Sequence, residues 1–189
     1  MASPNWSASD PAAEYPPEER TLLLSLAHRA IGAALQAAKV DITPPSQHLA
    51  EPRGAFTTLH LEGKLRGCVG YVAPLYPLYR TIAETAVAAA LHDTRFYPVT
   101  LAEAARLKIE LSILSPLFPI SADEIEIGKH GLVVSLEQNR GLLLPQVPTE
   151  HGWDRYIFLE QTCRKAGLPP DAWKHGATLE AFVAEVFGE

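Results

Sequence analysis

The chain has 189 residues, 47% of them apolar and 20% charged, the balance of an ordinary globular protein long enough to bury one substantial core. Its 22 acidic against 16 basic side chains leave a net charge of −6 without any Lys/Arg run, which excludes a general binder of the nucleic-acid backbone. Two cysteines far apart, a start lacking the basic and apolar regions of a signal peptide, and no apolar run near the ~20 residues that span a bilayer point to a cytosolic chain without membrane contact.

Residues 1–15 are rich in Ser, Pro, Ala and acidic groups without periodicity, so a mobile tail is expected there and a single domain over 16–189. From Glu18 to Ala38, Leu22, Leu23, Leu26, Ala27, Ala30, Ile31, Ala34 and Leu35 recur at three- and four-residue steps, which describes one face of a helix entered through Pro16 and Pro17. After Pro44, Pro45 and Pro52, the runs 55–61 and 64–72 read as two strands of a hairpin. A three-residue loop Leu61-Glu62-Gly63 with Gly63 in the left-handed position sets His60 opposite Lys64. That register puts Phe56, Thr58, His60, Arg66 and Cys68 on one face and Thr57, Leu59, Leu65, Gly67 and Val69 on the other.

A second helix follows over Leu78–His92, whose first turn has free N–H groups suited to an anion. Leu107–Leu114 alternates as a strand, with Glu110 facing away from Ile109 and Leu111 and needing a partner such as Arg66 or Arg95. Gly131–Glu137 and Gly141–Val147 read as a hairpin around 138–140, with Pro145 marking an edge or bend. Glu150, Gly152 and Trp153 either line a cleft or open the next helix. That helix, Trp153–Ala166, stops at Gly167, Leu168 and Pro169. A last strand is expected over Ala177–Phe187.

The chemistry concentrates in Leu65-Arg66-Gly67-Cys68-Val69-Gly70. In an extended segment Arg66, Cys68 and the side-chain-free position of Gly70 share a face, and an adjacent guanidinium favours a thiol's reactive anion. Glycine weakens a strand interior, so something must approach the backbone closely at Gly67 and Gly70. The alternative is a buried cysteine acting as a small hydrophobe. Cys163 falls on a helical stripe with Tyr156, Leu159 and Ala166 and reads as core. No histidine pair at zinc spacing and no Cys-x-x-Cys occurs, so no metal is expected.

Those six residues resemble the hallmark hexapeptide of the AMMECR-type family. His92-Asp93-Thr94-Arg95-Phe96 resembles its Asp-Pro-Arg-Phe region, with Thr94 in place of the usual Pro. Ile109-Glu110-Leu111-Ser112-Ile113-Leu114 resembles its Glu-containing strand, and Leu143-Leu144-Pro145-Gln146 through Gly152-Trp153-Asp154 its late motif. The similarity covers about residues 16–189. It implies an α+β fold with a mostly antiparallel, barrel-like sheet and packed helices. It also implies an association with the AmmeMemoRadiSam system, beside a Memo-like protein and a radical S-adenosylmethionine enzyme, and names no cofactor for the chain itself. By the same resemblance Arg66, Gly67, Cys68, Asp93, Arg95, Glu110 and Gln146 are candidates for one shared site.

Two functions compete at this stage. In the first, Cys68 is a nucleophile, Arg66 holds the thiolate or an anion, Glu110 orients the cation, and N–H groups beside Gly67 or Gly70 stabilise negative charge, while Asp93, Arg95 and Gln146 bind substrate. In the second, the same cleft presents a ligand or peptide to a partner enzyme without catalysis.

Overall fold

The computed structural model describes residues 14–189. In chain order the elements are α1 (Pro17–Leu35), β1 (Ala55–Leu61), β2 (Lys64–Tyr71), α2 (Leu78–Leu91), α3 (Leu101–Ala104), β3 (Lys108–Leu114), β4 (Phe118–Pro119), β5 (Gly131–Leu136), β6 (Asn139–Leu143), α4 (Gln146–His151), α5 (Arg155–Lys165), β7 (Thr178–Phe182) and β8 (Ala184–Gly188). The strands form two open sheets, ordered β2-β1-β3-β8 and β4-β7-β5-β6. The fold is therefore α+β, and two separate sheets stand where a barrel-like one was expected. Among the described residues no helix is long and apolar enough to cross a membrane.

The described residues divide into two compact units. One runs to Leu114 and takes back Glu185–Glu189, and the other spans Ser115–Ala184. The single strand expected over 177–187 is two strands in two different sheets, broken at Val183. There the Val183 N–H donates to the Ser115 hydroxyl at 3.0 Å and its carbonyl accepts the Ser115 N–H at 2.9 Å.

In the first unit β1 lies inside the sheet, between β2 and β3. Ala55, Thr57 and Leu59 are buried on its inner face with Ile109, Leu111 and Ile113 of β3, against Leu23, Leu26, Ala30 and Ile31 of α1 and Ile82, Ala86 and Ala89 of α2. The alternation predicted from sequence thus separates a sealed inner face from a half-exposed outer one. Leu22, expected in the apolar stripe of α1, is 42% exposed instead. Glu14 and Tyr15, read as tail, are held in place: Tyr15 is buried and stacks on His48 at 4.8 Å, and the Glu14 N–H donates to Glu185 at 2.7 Å. The rest of the expected tail lies outside the described residues.

The hairpin register differs from expectation. Glu62 and Gly63 both have positive φ, 53° and 75°, so the turn has two residues with the dihedral signature of type I′ rather than three residues. The ladder pairs Leu61 with Lys64 and His60 with Leu65, then shifts and pairs Leu59 with Gly67, Thr58 with Cys68 and Phe56 with Gly70. Arg66 has no single partner on β1. It is the extra residue of a β-bulge, a device that redirects a side chain. The outer-face grouping of Phe56, Thr58 and Cys68 survives because the combined shift is even.

In the second unit β5 and β6 turn through Glu137, at φ 54°. β6 ends at Leu143, not at Val147 as read from sequence, because Pro145 becomes the N-cap of α4. Gly152, at φ 64°, closes α4, and the Trp153 N–H reaches back to the Pro148 carbonyl at 2.9 Å. Asp154 then caps α5 by accepting the Tyr156 and Ile157 N–H groups, both at 2.9 Å. The predicted stop of α5 is present: Gly167 sits at φ 74° and the Leu168 N–H bonds the Cys163 carbonyl at 3.0 Å.

Candidate functional site

Cys68 lies on β2, the edge strand of the first sheet, where alternate residues turn their N–H and C=O away from β1, and Cys68 is one of these. Both are captured by the segment after α2. The Asp93 carboxylate accepts the Cys68 N–H at 2.8 Å, and Arg95 Nη2 donates to the Cys68 carbonyl at 3.3 Å. Asp93 also accepts the Arg95 N–H at 3.1 Å, its Nε at 2.9 Å and its Nη2 at 2.7 Å. The pair substitutes for a neighbouring strand, meeting one donor and one acceptor of the edge. The Arg95 guanidinium holds the Asp93 carboxyl far below the usual carboxylate range, helped by the Cys68 and Arg95 N–H groups and opposed by burial. Thr94, standing where the related motif has Pro, leaves the turn intact. The Phe96 N–H bonds the Asp93 carbonyl at 3.0 Å, so Asp93 itself sets the geometry.

Arg66 does not hold the thiol. Its Nε and Nη2 meet the two oxygens of Glu103 at 3.0 and 3.2 Å, and Nη1 donates to the Tyr97 carbonyl at 2.9 Å. Glu103 is in turn the third residue of a capping box begun by Thr100 at the start of α3. Arg66 first, then Thr100, hold the Glu103 carboxyl down to about 2. The bulge explains this redirection, and neither the bulge nor α3 was anticipated from the sequence. The apolar pattern of 101–104 is too short to register as a helix, although Thr100 and Glu103 have the capping-box spacing.

The close approach expected at the two glycines exists, and both spaces are filled by the fold. A Cβ on Gly67 would lie 2.1 Å from the Ala89 carbonyl of α2, and one on Gly70 would lie 2.3 Å from the Phe56 ring. The open position beside the thiol is therefore occupied by an aromatic ring. The part of α2 that meets the motif is its C-terminal half, not the N-terminal turn expected to attract an anion.

The outer face is left with a row across three strands. Thr58 pairs with Cys68 on one side and with Glu110 on the other. Two strand spacings separate Cys68 from Glu110, roughly 10 Å between backbones. The Thr58 hydroxyl donates to Cys68 Sγ at 3.4 Å. The Glu110 carboxylate has no hydrogen bond or ion pair among the described residues, so neither arginine partner expected for it is realised: Arg66 serves Glu103 and Arg95 serves Asp93. Cys68, Thr58 and Glu110 are all half-buried, and His60 continues the face one pair further along β1. Gln146 is exposed in the first turn of α4, within the other unit.

Cys163 is 0% exposed between Val134 and Ala172, and burial pushes its thiol up. It is core, as its stripe suggested, although Tyr156 of that stripe is exposed. Both cysteines are free. Among the described residues no three His, Cys, Asp or Glu side chains cluster as a metal would require.

These features define an α+β protein of two antiparallel-sheet units, one of which bears a thiol on a half-exposed sheet face. The chain belongs to the AMMECR1 family, whose model matches residues 24–187. It is similar to Protein MK0488 of Methanopyrus kandleri, 43% identical over 184 residues covering 91% of this chain and 89% of the relative. Protein MJ0810 of Methanocaldococcus jannaschii is 41% identical over 182 residues, with 91% and 90% covered. The crystal structure of the uncharacterized protein PH0010 from Pyrococcus horikoshii matches with a TM-score of 0.70 and 39% identity, over 89% of this chain and 90% of that one.

Proposed function

We propose that this chain is a cysteine-centred enzyme of the outer sheet face, with Cys68 as nucleophile, acting beside a Memo-like protein and a radical S-adenosylmethionine enzyme. The observation that supports this is the cross-strand row itself: a thiol oriented by the Thr58 hydroxyl and a carboxylate, Glu110, without a side-chain partner among the described residues. An unpaired carboxylate is available as proton acceptor or substrate contact. The roughly 10 Å between the two strands leaves room for a substrate between sulfur and carboxylate. Arg66, Asp93 and Arg95 are positioning residues in this reading, and the Cys68 N–H, already bonded to Asp93, is not a donor for developing charge. Gln146 keeps its place as a substrate-binding candidate by resemblance alone.

The second reading is a binding or accessory module, favoured by the commitment of both arginines to carboxylates of the fold. Alkylation by iodoacetamide at neutral pH separates the two. The enzyme reading expects Cys68 to react at least as fast as N-acetylcysteine and the rate to fall in Thr58→Val, while Cys163 stays protected. A Cys68 that reacts only after denaturation, with Thr58→Val silent, defeats it. Co-purification of the tagged chain with the two partner proteins tests the association.

A further inference from the structure

A concave site lies in the same unit on the side of the sheet opposite Cys68. Its volume is about 440 Å³, within the range of small-molecule pockets. Ala30 of α1 and Ala83 and Val87 of α2 form apolar walls, and the segment after α1 adds Val40 and Ile42. Tyr71 closes it from the end of β2. Tyr71 pairs with Ala55, whose side chain is on the sealed inner face, whereas Cys68 pairs with Thr58 on the outer one. The pocket and the thiol are thus on different faces.

The polar groups at its mouth are unevenly matched. Glu84 is already neutralised by Arg80 at 2.7 Å. Lys39 and His92 also line the pocket, both exposed, and neither side chain has a hydrogen bond or ion pair among the described residues. The uncompensated charge at the mouth is therefore the Lys39 ammonium. Its placement has a structural cause. Gln36 ends α1, Ala37 takes a left-handed φ of 53°, and the Ala38 N–H bonds the Ala33 carbonyl at 2.8 Å. A non-glycine residue in that conformation is strained, and here the strain turns Lys39, Val40 and Ile42 back over the helices.

We infer that this pocket binds a small amphipathic carboxylate, its hydrocarbon body between α1 and α2 and its carboxylate at Lys39. Apolar walls supply the affinity and the single cation selects the sign of the head group. The site is independent of the role given to Cys68.

Calorimetric titration of the full chain with decanoate and with decylamine tests this, with amide chemical shifts locating the site. Decanoate is expected to bind about ten-fold more tightly than decylamine, with shifts at Val40, Tyr71 and Val87. Lys39→Glu, on an exposed side chain, is expected to remove that preference while unfolding at the same temperature, and Val87→Phe to weaken decanoate by filling the cavity. Cys68→Ser is expected to bind as the parent does. Equal affinity for the two amphiphiles, no binding of decanoate, or shifts confined to other residues overturns the inference.

Discussion

Replacing Asp93 with Asn probes the clamp on the cysteine strand more directly than any change at the cysteine. The carboxylate accepts four hydrogen bonds, its side chain is 6% exposed, and its charge is matched by Arg95. An Asn oxygen can keep one backbone donor, Cys68 or Arg95, while the new NH2 group faces donors. Losing one backbone bond to a charged group costs about 1.5–3 kcal/mol. The Arg95 guanidinium is 56% exposed, so its share is screened to about 1 kcal/mol or less. Asp93→Asn is therefore expected to lower unfolding free energy by about 2–4 kcal/mol at neutral pH, read from urea transitions.

The pH dependence carries a definite sign. The folded carboxyl is depressed below its ordinary 3.8, so its contribution is complete above that value and is lost as pH falls toward the folded one. The gap between parent and Asp93→Asn should be constant from neutral pH down to about 5 and shrink below about 4. A substitution costing less than about 0.5 kcal/mol, or a gap that does not close in acid, refutes the assignment of this carboxylate as the clamp.

Gly67→Ala should destabilise by about 3 kcal/mol or more, since its Cβ would meet the Ala89 carbonyl at 2.1 Å and backbone cannot yield cheaply; thermal unfolding measures it. Ala37→Gly should stabilise by about 0.5–1 kcal/mol, because relief of the positive φ outweighs glycine's unfolded-state entropy; a denaturant midpoint that falls contradicts it. A double-mutant cycle on Arg66 and Glu103 should give a coupling of about 1 kcal/mol. That coupling is full above the ordinary Glu value of 4.5 and fades toward about 2, where the folded carboxyl titrates. Urea transitions across acidic pH measure the fade.

Local chemistry made the elements legible and left their partners open. The alanine and leucine spacing expected over 18–38 and the alternation of 55–61 and 107–114 depend on neighbours within a few residues, as does the Gly167-Leu168 stop, and each element is present with its bounds shifted by at most three residues. So is the demand for close approach at Gly67 and Gly70, which the absence of a side chain in a strand imposes by itself. What approaches is a tertiary matter: the backbone of α2 at one and the ring of Phe56 at the other.

The destination of each arginine was likewise undetermined by sequence, since a guanidinium two residues from a thiol shares its face only if the ladder is regular. The bulge at Arg66 sends that guanidinium to Glu103, and the turn after α2 brings Arg95 and Asp93 to the cysteine strand instead. The break at Val183 is of the same kind, for one apolar run serves two sheets only because its two ends find different neighbours. Sequence by itself determined the longer elements, α1, α2, α5, β1, β2, β3 and β5, and that the thiol and Glu110 lie on strands. Which side chains are spent on the fold, and which remain free on the outer face, was decided by long-range pairing, whose free energy depends on residues far apart in the chain.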